Sequence, residues 1–322
     1  MVDIGFTLMG EQRSPRDLVI DAVLAEQAGF DFLVASDHFH PWLEDQGHSP
    51  YVWSVLGAVA QATESVPFMT YVTCPILRYH PAVVAQKAAT VALLSDGRFS
   101  LGVGAGENLN EHVVGDGWPP ADVRHEMLRE ALEILRGLWG GGWFNYRGEY
   151  FDVESAKLYD LPDSPVRVGV AGSGASSCAL AAELGDFFIG TEPKPELASL
   201  YRKAGGAGEM VGQFPVVFGP SADDARQLLR DQFRWGALGW KVQAELPGPA
   251  AFDAASQFVR PEDMGQVGAW GPDVEQYVEK VRAFVDAGYS RVAFVQVGPA
   301  QREFCEWYGE TLAPALREAF PD

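Results

Sequence analysis

Short apolar runs alternate with amphipathic stretches along the whole chain. Runs at 3–9, 31–36, 67–73, 98–103, 166–170, 187–190, 213–218 and 291–297 are rich in Val, Ile, Leu and Phe and bounded by Gly, Pro, Asp or Arg. That length and apolar continuity predict strands buried on both faces, as in a parallel sheet. The stretches between them carry apolar residues at helical spacing, as at 16–28, where Leu18, Val19, Ala22, Val23 and Ala25 share a face. Further helices are expected at 51–63, 81–94, 121–139, 175–184, 195–204, 222–235, 273–287 and 302–319. Ser14-Pro15 is a helix start and Gly29 a stop.

Two segments break the alternation. Residues 143–153 predict a hairpin turning at Tyr146-Arg147-Gly148, and 236–271, rich in Gly, Pro and Ala, predict an irregular insertion between the seventh and eighth strands. Eight strand–helix pairs without a dividing linker predict one α/β domain over 1–322, a closed (β/α)8 TIM barrel rather than an open sheet. In such a barrel, chemistry gathers at the carboxyl ends of the strands. Glu11, the run Asp37–Trp42, Cys74, the run Glu107–Asn110, Ser173-Gly174 and Lys194 all fall there, so six strand ends share one mouth.

Composition narrows the partners. Of 322 residues, 44 are acidic and 24 basic, a formal charge of −20 that opposes nucleic acid and anionic membranes. Apolar runs fall short of the ~20 residues a spanning helix needs. The first residues, Met1-Val2-Asp3-Ile4-Gly5-Phe6, lack the basic and apolar regions of a signal peptide. Cys74, Cys178 and Cys305 are odd in number and far apart, which predicts neither a disulfide framework nor a metal pair. A cytoplasmic enzyme acting on a small molecule is the expectation.

His38 and His40 share the orientation that opens a metal site in barrel hydrolases. The histidines are at 38, 40, 48, 80, 112 and 125, none on the last four strands, so no metal is expected. Gly102-Val103-Gly104-Ala105-Gly106-Glu107 departs from a dinucleotide fingerprint, because a glutamate stands at the third glycine and would repel a pyrophosphate. A turn that lets a flat ring approach the backbone fits better. No Gly-x-Ser-x-Gly elbow precedes a helix. On the residues alone, packing remains an alternative for Trp42, a hydrogen-bonded structural role for His38, and capping for Asn108 and Asn110.

Ser36-Asp37-His38-Phe39-His40-Pro41-Trp42, residues 78–86 and Gly102 through Glu111, with a weaker match at 171–174 and 185–186, resemble the coenzyme F420-dependent glucose-6-phosphate dehydrogenase family of luciferase-like oxidoreductases. The resemblance implies the same barrel, a homodimer and F420 as cofactor. It implies that Asp37, Tyr71, Val72, Cys74, Asn110, Ser173 and Gly174 hold the deazaflavin, with a cis peptide at Tyr71-Val72. Threonine is the family's residue at Cys74. His38 would take the carbinol proton, with Glu11 the rival base, Trp42 would stabilise developing charge, and Glu107 would protonate the ring nitrogen. Histidine suits the proton transfer near neutral pH.

Lys194 matches one of the family's phosphate-binding cations. Gln243 falls near the second, with Lys241 two residues away, and Val267 stands where an arginine is expected, leaving Arg260 as the candidate replacement. A sugar 6-phosphate such as glucose 6-phosphate, oxidised to the lactone, is the first substrate implied. A non-phosphorylated alcohol or carbonyl stands equal to it. An FMN-dependent monooxygenase and a non-catalytic coenzyme-binding protein are the other readings.

Overall fold

The computed structural model describes residues 2–321. Eleven strands run β1 (Asp3–Leu8), β2 (Phe32–Ala35), β3 (Phe68–Thr70), β4 (Phe99–Val103), β5 (Phe144–Arg147), β6 (Asp152–Ala156), β7 (Arg167–Ala171), β8 (Phe187–Ile189), β9 (Met210–Val217), β10 (Ala269–Trp270) and β11 (Arg291–Gln296). Eight of them pair in parallel in the order β1-β2-β3-β4-β7-β8-β9-β11, and β11 closes on β1 with Ile4 opposite Val292. The chain is therefore the expected (β/α)8 barrel. β5 and β6 form the antiparallel hairpin, and β10 extends the sheet beside β9.

Two kinds of packing hold this frame. Phe32, Val34, Met69, Phe187, Ile189 and Val211 fill the barrel interior as a separate cluster. Space for the two large rings comes from neighbouring strands: a Cβ on Gly5 would overlap Phe32, and one on Gly169 would overlap Phe187. Outside, the helices lay Leu18, Leu56, Val84, Leu128 and Leu135 on the sheet, all buried. The first helix, Pro15–Ala28, starts as predicted, with Ser14 Oγ accepting from the Asp17 N–H (3.3 Å) and Gly29 ending it at φ 85°. Such a cap contributes about 1 kcal/mol.

Four expectations need correction. β9 begins at Met210, before the predicted Gln213; the interrupting Gly212 looked like loop, but it makes room for the Phe284 ring. Much of 236–271 is ordered into short turns and helices, Trp240–Gln243, Pro249–Ser256 and Pro261–Gln266, ending in β10. The last helix is broken by a π segment, Tyr308–Leu312. Asn108–Glu111 forms a helical turn at the strand-four end with Glu107 at its N-cap, so Asn108 and Asn110 lie inside the turn rather than capping it.

Candidate active site at the carboxyl end of the barrel

The strand ends surround a cavity of about 770 Å³. Glu11, Asp37, His38, Trp42, Tyr71, Val72, Cys74, Glu107, Asn110, Ser173 and Lys194 all line it. Gly174 does not; it opens the helix Ala175–Leu184, with its N–H donated to Ser177 Oγ (3.2 Å). Tyr71-Val72 is cis.

His38 stands between two carboxylates. Its Nδ1 lies 2.6 Å from Glu11 Oε1 and its Nε2 3.6 Å from Glu107 Oε2. Glu11 Oε1 also accepts from Ser36 Oγ (2.8 Å). The Nδ1 contact is a close charge pair rather than a well-aligned hydrogen bond. Burial opposes charge on both groups, yet each offsets that cost for the other across this short gap. His38 is held above its ordinary pKa, helped by Glu107, and Glu11 below its own. Glu11 thus faces the Nδ1 side of the imidazole and Glu107 the Nε2 side, and both carboxylates line the cavity.

Asn110 is 2 % exposed and bonds protein on both sides of its amide. Oδ1 accepts from the backbone N–H of Phe39 (2.8 Å) and His40 (3.2 Å), while Nδ2 donates to Glu107 Oε2 (3.0 Å).

Asp37 is bound as tightly. Oδ2 accepts from Trp53 Nε1 (2.9 Å) and Thr73 Oγ1 (2.8 Å), and Oδ1 from Arg78 Nη2 (3.0 Å) and Tyr79 OH (3.1 Å). Four donors occupy the carboxylate, so it anchors its loop. Arg78 is shared with Glu111, whose Oε2 accepts the Arg78 backbone N–H (2.9 Å) while Nε lies 3.4 Å from Oε1. Burial outweighs that help and pushes the Glu111 carboxyl up to about 7. No spacing rule singles out Arg78 or Glu111; their only signal was membership of the matching segments. Cys74 is buried against the Gly106 turn, and burial pushes its thiol well up, so it is an apolar wall.

The opposite wall is aromatic. Trp42 stacks on Trp235 (centroids 4.0 Å, 12°) and meets Phe252 edge-on (5.0 Å), and Phe233 packs on Trp235 (4.2 Å). Trp42 also stands edge-on to His38 (5.0 Å), so it both packs and lines the cavity. Trp235 and Phe252 come from or beside the insertion, and sequence patterning gave no sign of them.

The cations predicted to grip phosphate are dispersed. Lys194 Nζ is paired with Glu192 Oε1 (2.8 Å) and half exposed at the rim. Arg260 is exposed and tied to Asp263 (2.9 Å), outside the cavity lining, so it does not replace the arginine expected at Val267. Lys241 is not a lining residue either, whereas Gln243 is buried there and donates to the Trp235 carbonyl (3.3 Å). Lys280 lines the wall with Nζ on the Gly265 carbonyl (2.8 Å), and burial lowers its pKa. Among the described residues, no arginine lines the cavity.

A parallel barrel with a histidine–carboxylate pair and an aromatic wall around a cavity at its carboxyl mouth has the layout of an enzyme that acts on a small organic molecule. The luciferase-like monooxygenase family model matches residues 2–291, and the chain belongs to that family. It is 35% identical to an F420-dependent glucose-6-phosphate dehydrogenase of Beutenbergia cavernae, over 98% of both chains. A second enzyme of that name, from Segniliparus rotundus, is also 35% identical, again over 98% of both. Among solved structures, an F420-dependent secondary alcohol dehydrogenase in complex with an F420–acetone adduct superposes with a TM-score of 0.90 at 30% identity, covering 98% of this chain and 99% of that one. An F420-dependent tetrahydromethanopterin reductase from Methanopyrus kandleri shares the fold, with a TM-score of 0.79 at 18% identity over 98% and 99%. Among the described residues no helix is long and apolar enough to cross a membrane.

Proposed function

We propose that this chain is an F420-dependent oxidoreductase interconverting a small, non-phosphorylated alcohol and its carbonyl compound. The carrying observation is His38 held between Glu11 (2.6 Å) and Glu107 (3.6 Å) on the cavity wall. The cavity suits a flat coenzyme ring: its floor is backbone at Gly104-Ala105-Gly106, where a Cβ on Gly104 would come 2.9 Å from Val72 Cγ2. Tyr71, Val72, Cys74 and Ser173 would border it, and Asp37 would fix the loop that carries His38. When bound, F420 supplies the hydride acceptor or donor.

The residues account for the proton. His38 Nε2 faces the cavity and takes the hydroxyl proton during oxidation or returns it during reduction. Glu11 holds the imidazole through Nδ1 and stabilises its charge, as the carboxylate does in a catalytic triad. Glu107 would supply the second proton, and the Trp42 indole, edge-on to His38, would border the carbon that changes oxidation state. Because His38 tends toward its charged form, oxidation accelerates as pH rises through its raised pKa and reduction as pH falls through it.

The substrate follows from charge. Glucose 6-phosphate, named for the curated relatives, needs cations that are free to meet a dianion. Here Lys194 is already paired, the arginine position is Val267, and Glu192 and Asp263 line the same cavity. The stacked tryptophans instead offer an apolar seat. Loss of the oxidised coenzyme's visible absorbance with 2-propanol, and none with glucose 6-phosphate, is the expected result. Bleaching by the sugar phosphate alone would reverse the substrate assignment.

A cytoplasmic setting is supported by three buried, unpaired cysteines. A homodimer is supported by apolar residues exposed on neighbouring helices, Tyr51, Val83, Leu93 and Leu94. Light scattering of the purified protein tests the dimer.

A further inference from the structure

We propose that Gln46 is a positioning residue for the substrate seat: its buried amide sets the stack of Trp42 on Trp235. The inference rests on the functional reading above and says how the aromatic wall is held in register with the strand-two end.

Gln46 is 5 % exposed and, unlike Trp42 and Trp235, lies outside the cavity lining. A primary amide offers both an acceptor and donors, and here both are used across two elements. Oε1 accepts the backbone N–H groups of Trp42 (2.8 Å) and Leu43 (3.1 Å), and Nε2 donates to the Gln232 carbonyl (3.1 Å). Gln232 lies in the last turn of the helix Ala222–Phe233, where carbonyls run out of α-helical partners. Trp235 follows three residues later. One amide therefore grips the backbone of one tryptophan and the helix end that delivers the other.

The rings supply no such link themselves. Trp235 Nε1 is buried with no acceptor among the described residues, so the indole is held by its stack and by its backbone, whose carbonyl takes Gln243 Nε2 (3.3 Å). The clamp is tied in turn to the barrel. Gln12 Nε2 donates to Gln232 Oε1 (2.7 Å), and Gln12 Oε1 accepts the Gly298 N–H (2.8 Å). Gln12 follows Glu11 at the strand-one end, and Gly298 follows the last strand. The face that the two indoles present to the cavity is thus set from behind, by glutamines that do not line it. A buried polar network of this kind specifies one arrangement while every link keeps its partner.

Gln46→Glu divides the clamp. The carboxylate still accepts from Trp42 and Leu43 but turns an oxygen toward the Gln232 carbonyl, so Trp42 stays and Trp235 is released. Two stacked indoles give an exciton couplet in far-ultraviolet circular dichroism, and among the described residues no other pair of tryptophans stacks. The couplet of the natural protein, with Trp235→Ala as the blank, should collapse in Gln46→Glu. With F420 and 2-propanol, KM should rise about three- to tenfold, the range that one buried hydrogen bond is worth. Turnover at saturation should stay within about twofold, the pattern of lost binding rather than lost chemistry. Gln46→Glu added to Trp235→Ala should raise KM no further than Trp235→Ala alone.

A couplet that survives Gln46→Glu, a fall in kcat at level KM, or KM losses that multiply in the double variant would overturn the proposal. Gln46→Met, of similar size and uncharged, keeps the test if the glutamate variant does not fold: it too should lose the couplet, and retention would overturn the clamp. Failure of the functional reading looks different. The natural protein would then bleach no F420 with any alcohol, while the couplet, which needs neither coenzyme nor substrate, still decides the role of Gln46.

Discussion

The two walls of the cavity are built on different terms. The wall from β1, β2 and β4 is a dense polar lattice. Asp37 accepts four donors, Asn110 fills its acceptor, and Glu11 and His38 neutralise each other. The facing wall, from residues 233–267, is an aromatic stack on short helical turns, with Trp235 on Trp42 at 4.0 Å. On the proposed reading, directional bonds on the strand ends would fix where protons move. The stacked rings on an excursion from the barrel would decide which molecule sits beside them. Buried polar groups tolerate no partial solution, whereas apolar packing can be exchanged for other packing of similar volume. Reaction and specificity can therefore change separately.

The largest effect is expected in the polar lattice. Arg78→Met leaves Asp37 and Glu111 buried without their guanidinium, and breaking such a pair costs about 3–5 kcal/mol. A denaturant titration reads this, and a loss no larger than a surface substitution's would mean the lattice is not structural. Next is His38→Ala, for which oxidation should slow by ~10²–10⁴ with F420 binding kept. Equal losses in both would make His38 a binding residue.

Glu11→Gln removes the charge that raises His38. Its pH profile should move to lower pH, so that oxidation at low pH improves relative to its own maximum. The same pair governs stability. The Glu11 contribution is present above the unfolded carboxyl value of ~4.3 and lost as pH falls through its lowered value. The His38 contribution is full below ~6.5 and lost as pH rises through its raised value. The mildest expectation tests the aromatic wall: Trp235→Ala should raise KM for 2-propanol by about tenfold, the worth of one aromatic pair, with little change in kcat. A fall in kcat alone would show that the two walls are not separable.

The strands and long helices were legible because each obeys a local rule. The helices at 81–94, 121–139 and 175–184 carry their own start or stop signals and lie where the pattern puts them. Most candidate site residues were legible for a topological reason: a (β/α)8 barrel sends every strand end to one face. Legibility stopped where a contact joins distant segments without a periodic pattern. Arg78 meets Asp37 and Glu111, separated from it by 41 and 33 residues. The Trp235 stack depends on how 234–238 folds back over the barrel, which composition rich in Gly and Pro concealed. Asn110 was visible as a residue, but that its amide joins the Phe39 and His40 N–H groups to the Glu107 carboxylate is a fact of tertiary structure.

The most direct test of the site is the titration of His38 in the coenzyme-free protein by histidine NMR, with His38→Ala to assign the signal. The pairing with Glu11 and Glu107 predicts a midpoint above the ordinary ~6.5. A midpoint at or below that value would mean that burial wins over the two carboxylates, and that the imidazole is not charged by them for proton transfer.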